Sequence, residues 1–359
     1  MTAIEHHFPY DYREARHAFI AAAEAAGLGV TSRLHPSEKG ADGKPLFLDT
    51  TSIGARDAKT ALLLISGTHG VEGYFGSAVQ TGLLREGLAQ RAPKGTKIVL
   101  LHALNPYGFS WDRRVNEDNA DINRNFVDFK NPPKNAAYDE LRHAIELTGL
   151  SRESMKAANA VLRAYSDKHG AFKLQEAISV GQYKHPQGVY FGGQRESWSH
   201  LMLKDVFREE LKGVKRLVAI DFHTGLGEPG AAEMITEDLP GSDAYKRAAA
   251  MWDNVQSSEA GESLSPPLQG TVDQAVAQWM KGKELTFAAL EVGTRPTRDV
   301  LIAIRRDNWL HLHARPNDPD WPSVKREIRD AFYVDTPEWK RSVWRHATKA
   351  VNAALAAIA

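Results

Sequence analysis

The chain has 359 residues, with 45 Lys and Arg against 45 Asp and Glu, and no cysteine. Balanced charge gives no reason to expect nucleic acid or an anionic membrane as a partner, and the missing cysteine excludes disulfides, thiolate metal sites and a cysteine nucleophile. Any metal must be held by histidine and carboxylate.

The opening MTAIEHHFPYDY lacks a basic segment followed by an apolar one, and no run approaches the roughly 18 apolar residues of a membrane span. The expectation is a cytoplasmic protein. The length allows a sizeable core, and with no internal repeat, low-complexity tract or clear linker the chain reads as a single domain over residues 1–359.

Residues 12–26 predict an opening helix, followed to residue 49 by a polar, Gly-rich entry segment that suits an edge hairpin. Residues 61–65 form a short apolar run closed by Gly67, as expected of a strand buried on both faces of a parallel sheet. Helical spacing over 75–88 and a second apolar run over 97–104 complete a strand, helix, strand unit. Residues 105–126, NPYGFSWDRRVNEDNADINRNF, are too polar for core and too long for a simple connector, so they read as a functional loop. Residues 127–210 read as a mainly helical insertion ending near a Gly- and Tyr-rich loop, GQYKHPQGVYFGG, over 181–193.

KRLVAIDF over 215–222 is a third buried strand, running into His223, and 232–236 is a short one. Helices are predicted over 243–255 and 271–281, and ELTFAAL over 284–290 is a strand that ends at Glu291. The segment 297–359 is mostly helical, with Thr336 as N-cap and Pro337 at the first position of a last helix. The pattern predicts a three-layer α/β/α fold with a mixed, largely parallel central sheet and chemistry at its carboxyl edge.

Three strand ends carry metal-type donors. His69 and Glu72 follow the first strand, His223 follows the third, and Glu291 closes the last. His-x-x-acid pairs also occur at His35 with Glu38 and at His143 with Glu146, but only His69 and Glu72 follow a buried-strand signal. Together these residues supply three zinc ligands and one spare carboxylate, the set a hydrolase needs to activate water.

This ordered set, from about residue 61 to 293, resembles the zinc carboxypeptidases of the carboxypeptidase A type and their aspartoacylase and succinylglutamate desuccinylase relatives. The resemblance implies that His69, Glu72 and His223 hold one Zn2+ per chain and that Glu291 is the general base. Asn105-Pro106-x-Gly108 is similar to a turn of that family. DINRNF matches closely, implying that Asn123 and Arg124 grip a substrate carboxylate and that Asp121 orients His69. Arg114 resembles the arginine that polarises the scissile carbonyl; its neighbour Arg113 is the alternative.

One feature departs. The family's peptidases carry a mobile tyrosine before a Gly-Ser/Thr-x-Asp segment. Gly270-Thr271-Val272-Asp273 resembles that segment, yet residues 263–269 contain no tyrosine. Tyr183, Tyr190 and His185, all in the 181–193 loop, are candidates for the vacant role. That loop is similar to an uncharacterised bacterial branch of the superfamily.

The resulting expectation is a zinc-dependent hydrolase acting on a small carboxylate-bearing substrate, either a short peptide or an N-acyl amino acid, with a homo-oligomer left open. A non-catalytic binding protein on the same fold is the competing class. A dinucleotide enzyme is disfavoured because Thr68 breaks the Gly-x-Gly-x-x-Gly pattern, and no Gly-x-Ser-x-Gly elbow of a serine hydrolase occurs.

Overall fold

The computed structural model describes residues 4–359. Its strands are β1 (Val30–Lys39), β2 (Pro45–Gly54), β3 (Thr60–Ile65), β4 (Thr96–His102), β5 (Arg216–Thr224), β6 (Ala232–Thr236), β7 (Val255–Ser257) and β8 (Glu284–Val292). They form one sheet in the order β1-β2-β4-β3-β5-β8-β6-β7. The central strands β4, β3, β5 and β8 run parallel, while the β1–β2 hairpin and the β6–β8 pairing are antiparallel. The sheet is therefore mixed and largely parallel, as expected.

Helices cover both faces: α1 (Tyr12–Ala25), α2 (Gly73–Arg85), α3 (Leu88–Arg91), α4 (Pro106–Ser110), α5 (Ala136–Ile145), α6 (Arg152–His169), α7 (Ala171–Ser179), α8 (Trp198–Glu210), α9 (Asp243–Met251), α10 (Val272–Trp279), α11 (Thr297–His313), α12 (Trp321–Phe332) and α13 (Pro337–Ile358). Strand alternation explains the three layers. Leu62 and Leu64 of β3 pack with Phe19, Phe75, Val79 and Val351 on the side of α1, α2 and α13. Ala61, Leu63 and Ile65 pack with Leu203, Val206 and Val276 on the side of α8 and α10. A third cluster joins α5, α6 and α7 to α11 and α12 through Tyr138, Leu162, Ile178, Val300 and Ile328.

Two predicted helices end early, for local reasons. Gly87, at φ 80°, stops α2 after Arg85, so Leu88 begins a separate short helix. The helix expected over 243–255 stops at Met251, because Trp252 is extended and Asn254 sits at φ 51°; Val255 then enters β7. The last helix opens as its capping signal requires, with the Thr336 hydroxyl accepting the Trp339 N–H.

The parallel core places the ends of β3, β5 and β8, three adjacent strands, side by side. In the β5–β8 register His223 lies directly opposite Glu291. Their side chains therefore meet on one face of the sheet.

Candidate metal centre

The first donors are fixed by a glycine turn pressed against its neighbour. Gly67 turns at φ 67° at the end of β3, and a Cβ on Gly70 would overlap the backbone of Gly108 and Phe109 in α4. That close approach explains the Asn105-Pro106-x-Gly108 turn, where the Asn105 carboxamide accepts the Gly108 N–H at 2.8 Å. The same turn pairs with the polar loop: Val71 N–H donates to the Arg113 carbonyl at 2.8 Å and Gly70 N–H to that of Arg114 at 3.2 Å. The donor turn and the arginine segment are thus one rigid unit.

His69, Glu72 and His223 converge with their donor atoms all within 4.8 Å of one another. His69 Nδ1 lies 2.8 Å from Glu72 Oε1 and 3.2 Å from His223 Nδ1, which is itself 3.1 Å from Glu72 Oε2. The far nitrogens are committed elsewhere: His69 Nε2 to Asp121 at 3.2 Å and His223 Nε2 to Asp221 at 3.0 Å. A histidine that gives its Nε2–H to a carboxylate presents a bare lone pair at Nδ1. Two such lone pairs 3.2 Å apart repel unless a cation lies between them.

Four buried or nearly buried carboxylates, Glu72, Asp121, Asp221 and Glu291, surround the two imidazoles and meet two guanidiniums, Arg114 and Arg124. Burial pushes the Glu291 carboxyl up to about 8, helped by the charge of Glu72. Burial also opposes ionisation of Glu72, but positive charge on His69 and N–H donation from His223 and His69, protons standing where a metal ion would, outweigh it and hold the group well below the carboxylate range. Burial lowers His223, and Asp221 with Glu72 more than reverses this. The residues fit zinc.

Around this centre the structure separates the alternatives left by the sequence. Arg114 Nε donates to Asp121 at 3.0 Å and its Nη1 to Glu72 at 3.2 Å, so the guanidinium borders the donors. Arg113 points away, into a buried pair with Asp307 at 3.2 Å. Arg124 spends Nε and one Nη2 hydrogen on the Ser179 carbonyl and one Nη1 hydrogen on the Asn123 carbonyl. Two of its five N–H bonds, one on each Nη, remain for a ligand, although the residue is only 3% exposed. Asn123 holds the Val272 N–H on its Oδ1 at 2.8 Å, leaving its NH2 to the cavity.

Of the three candidates in the 181–193 loop, only Tyr190 lines the cavity. It is held at φ 52°, a strained setting for a residue with a side chain, with its ring 5.1 Å from the Arg114 guanidinium and 5.9 Å from that of Arg124. Tyr183 is buried and donates to the Arg124 carbonyl at 2.7 Å, while His185 pairs with Asp139 at 2.6 Å away from the centre. The other His-x-x-acid pairs are also remote: His35 faces Glu117 at 3.3 Å, and His143 is exposed on α5.

Sequence reasoning missed Asp221 and Thr68. Asp221 holds His223 from two residues earlier on the same strand face, and the Thr68 hydroxyl donates to it at 2.8 Å. The signal was present, because i and i+2 of a strand share a face and DFH therefore places a carboxylate beside the histidine.

A family model described as "Protein of unknown function (DUF2817)" matches residues 8–346. The chain belongs to this family. No curated protein matches it. Among solved structures, the bovine thrombin-activatable fibrinolysis inhibitor in complex with tick carboxypeptidase inhibitor is 12% identical, covering 98% of each chain at a TM-score of 0.52. A second structure of the thrombin-activatable fibrinolysis inhibitor is also 12% identical, over 97% of this chain and 74% of that one, at 0.52. An aspartoacylase family protein from Mesorhizobium loti is 16% identical over 81% of this chain and 68% of that one, at 0.40. By its likeness to the two thrombin-activatable fibrinolysis inhibitor structures, the DUF2817 chain has a carboxypeptidase-like α/β fold. None of its described helices is long and apolar enough to cross a membrane.

Proposed function

We propose that this chain is a zinc-dependent hydrolase that cleaves an amide bond beside a free carboxylate. The observation that carries the reading is the pair of imidazole Nδ1 atoms facing each other at 3.2 Å across Glu72, each ring anchored by an aspartate. His69, Glu72 and His223 would hold the ion. Zinc, when bound there, supplies a Lewis acid that polarises a carbonyl and acidifies water.

The chain's own residues do the rest. Arg124 and Asn123 fix the substrate carboxylate, since a guanidinium edge with two free N–H bonds meets a carboxylate through paired, charge-assisted hydrogen bonds. Arg114 donates to the scissile carbonyl oxygen as negative charge develops on it, a contribution of about 10²–10³ in rate for one such donor. Glu291 keeps Oε1 on the Leu226 N–H at 2.9 Å, so its other oxygen takes a proton from water and passes it to the leaving nitrogen. Tyr190 adds a phenol beside both arginines.

A short peptide and an N-acyl amino acid both place a carboxylate next to the amide. The second is supported by the apolar wall that Leu162 of α6, Leu174 and Ile178 of α7, and Val300 of α11 give the cavity, which suits a small acyl group. The test is metal content of the purified protein beside His69→Ala, with short peptides and N-acyl amino acids offered to both. The expected result is about one zinc per chain, lost in the variant together with hydrolysis. Negligible metal in both proteins would refute the reading.

A further inference from the structure

We propose that the amino acid released by this enzyme is cationic, its ammonium or guanidinium side chain received by Glu237 and Asp273 while its α-carboxylate rests on Arg124. This inference rests on the hydrolase reading above and names the substrate class of that site.

The cavity of about 580 Å³ that contains the metal donors runs on past Arg124 into a bay between β6, β8 and the start of α10. Strand alternation builds its walls. Ile235 and Glu237 share one face at the end of β6, and Phe287, Ala289 and Glu291 share the corresponding face of β8. Thr271 caps α10 and Asp273 lies in its first turn. The bay is stitched directly to the carboxylate-binding segment, because Val272 N–H donates to Asn123 Oδ1 at 2.8 Å and Phe126 N–H to the Gly270 carbonyl at 3.1 Å.

The hydrogen-bond partners of Glu237 are neutral, and the opposite charge that reaches it is that of Arg124. Glu237 accepts from the Thr271 hydroxyl at 2.6 Å and the Gln274 amide at 2.8 Å. The backbone N–H of Glu237 favours the ionised form of Asp273. Among the described residues neither stands in an ion pair, and Asp238 and Glu259 add further negative charge close by. Burial, and then the charge of Glu237, keep Asp273 well above the usual carboxylate range, although a helix N-terminus by itself favours the ionised form. Burial likewise raises Glu237.

Independently of these acids, Arg124 presents two unpaired N–H bonds from a buried guanidinium into the same cavity. A ligand spanning the space must therefore be anionic at the Arg124 end and cationic in the bay. Between the two ends, Ile235, Leu268, Phe287 and Ala289 form an apolar wall matched to a methylene stem. An amino acid with a lysine- or arginine-like side chain has all three features. A second metal ion is not indicated: among the described residues the metal-type group of three or more donors is His69, Glu72 and His223.

The test has one arm that needs catalysis and one that does not. The zinc-loaded protein is given N-acylated dipeptides ending in arginine, lysine, leucine or glutamate. Free arginine, lysine, norleucine and glutamate are titrated calorimetrically into zinc-free and zinc-loaded protein. We expect kcat/KM to favour the basic ends by about 100-fold, and arginine and lysine to bind at least about tenfold tighter than norleucine or glutamate in both forms, a cost on the scale of leaving a buried charge unpaired. Asp273→Asn and Glu237→Gln should each cut the arginine-to-leucine ratio about tenfold.

Hydrolysis confined to leucine or glutamate ends would overturn the cationic assignment and leave the hydrolase intact. Equal binding of arginine and norleucine by the wild-type protein would overturn it too, whether or not the variants fold. Selective binding of arginine without any hydrolysis would support the bay and refute the hydrolase.

Discussion

Asp221→Asn tests the metal centre without touching a ligand. The carboxylate lies 3.0 Å from His223 Nε2 and takes the Thr68 hydroxyl at 2.8 Å, in a site about 1% exposed. Asparagine keeps the shape and one acceptor, so the zinc-free fold should survive, but it removes the charge that fixes the His223 tautomer and raises its basicity. Losing such a partner typically weakens metal binding by about 10–100-fold, or about 1.4–2.7 kcal/mol.

Zinc affinity is read by competition against a chelator of known strength. Thermal unfolding gives a second readout: at free zinc about 1,000 times the wild-type Kd, the wild type gains about 4 kcal/mol, and a variant weakened by that factor gains only about 1.4–2.7 kcal/mol. Zinc-free melts of both proteins supply the baseline. Equal zinc affinity in the two proteins would refute the argument that the aspartates prepare the imidazoles for an ion.

Three further outcomes are expected. Glu291→Gln should retain zinc and lose about 10²–10⁴ in kcat; full activity in a zinc-loaded variant would remove Glu291 from the reaction. Arg113→Ala should cost about 2–3 kcal/mol in urea unfolding, because it strips one partner from buried Asp307 while Lys325 remains at 2.6 Å, and should leave the zinc affinity as it was. Burial pushes the His102 imidazole down to about 3, so the folded state binds fewer protons than the unfolded one. Its contribution is fully present above the unfolded value near 6.5 and drains away as pH falls, by about 2 kcal/mol between pH 6.5 and 5. Unfolding free energies at pH 7 and 5 should therefore fall less steeply in His102→Gln, and identical slopes would disprove it.

How much was legible depended on how local the signal was. The strands β3, β4, β5 and β8 announce themselves because a strand buried on both faces must be a continuous apolar run, and Thr336-Pro337 caps α13 through atoms three residues apart. The edge hairpin was only suggested, since β1 is exposed and polar, and β7 is three residues, the first of which fell at the end of the helix expected over 243–255.

The sequence by itself determined which donor types could hold a metal, that no thiolate was among them, and that histidine and carboxylate stood at strand ends. Only the tertiary structure decided that those ends are neighbours, that Arg114 rather than Arg113 faces the donors, and that Tyr190 rather than Tyr183 or His185 lines the cavity. Adjacent residues on one loop differ in direction by a rotation that chain periodicity does not encode. Here the rotation is set by backbone pairing of residues 113 and 114 with the turn at Gly70. Glu237 and Asp273 show the same limit, because charges 36 positions apart acquire a shared meaning only when β6 and α10 close around one cavity.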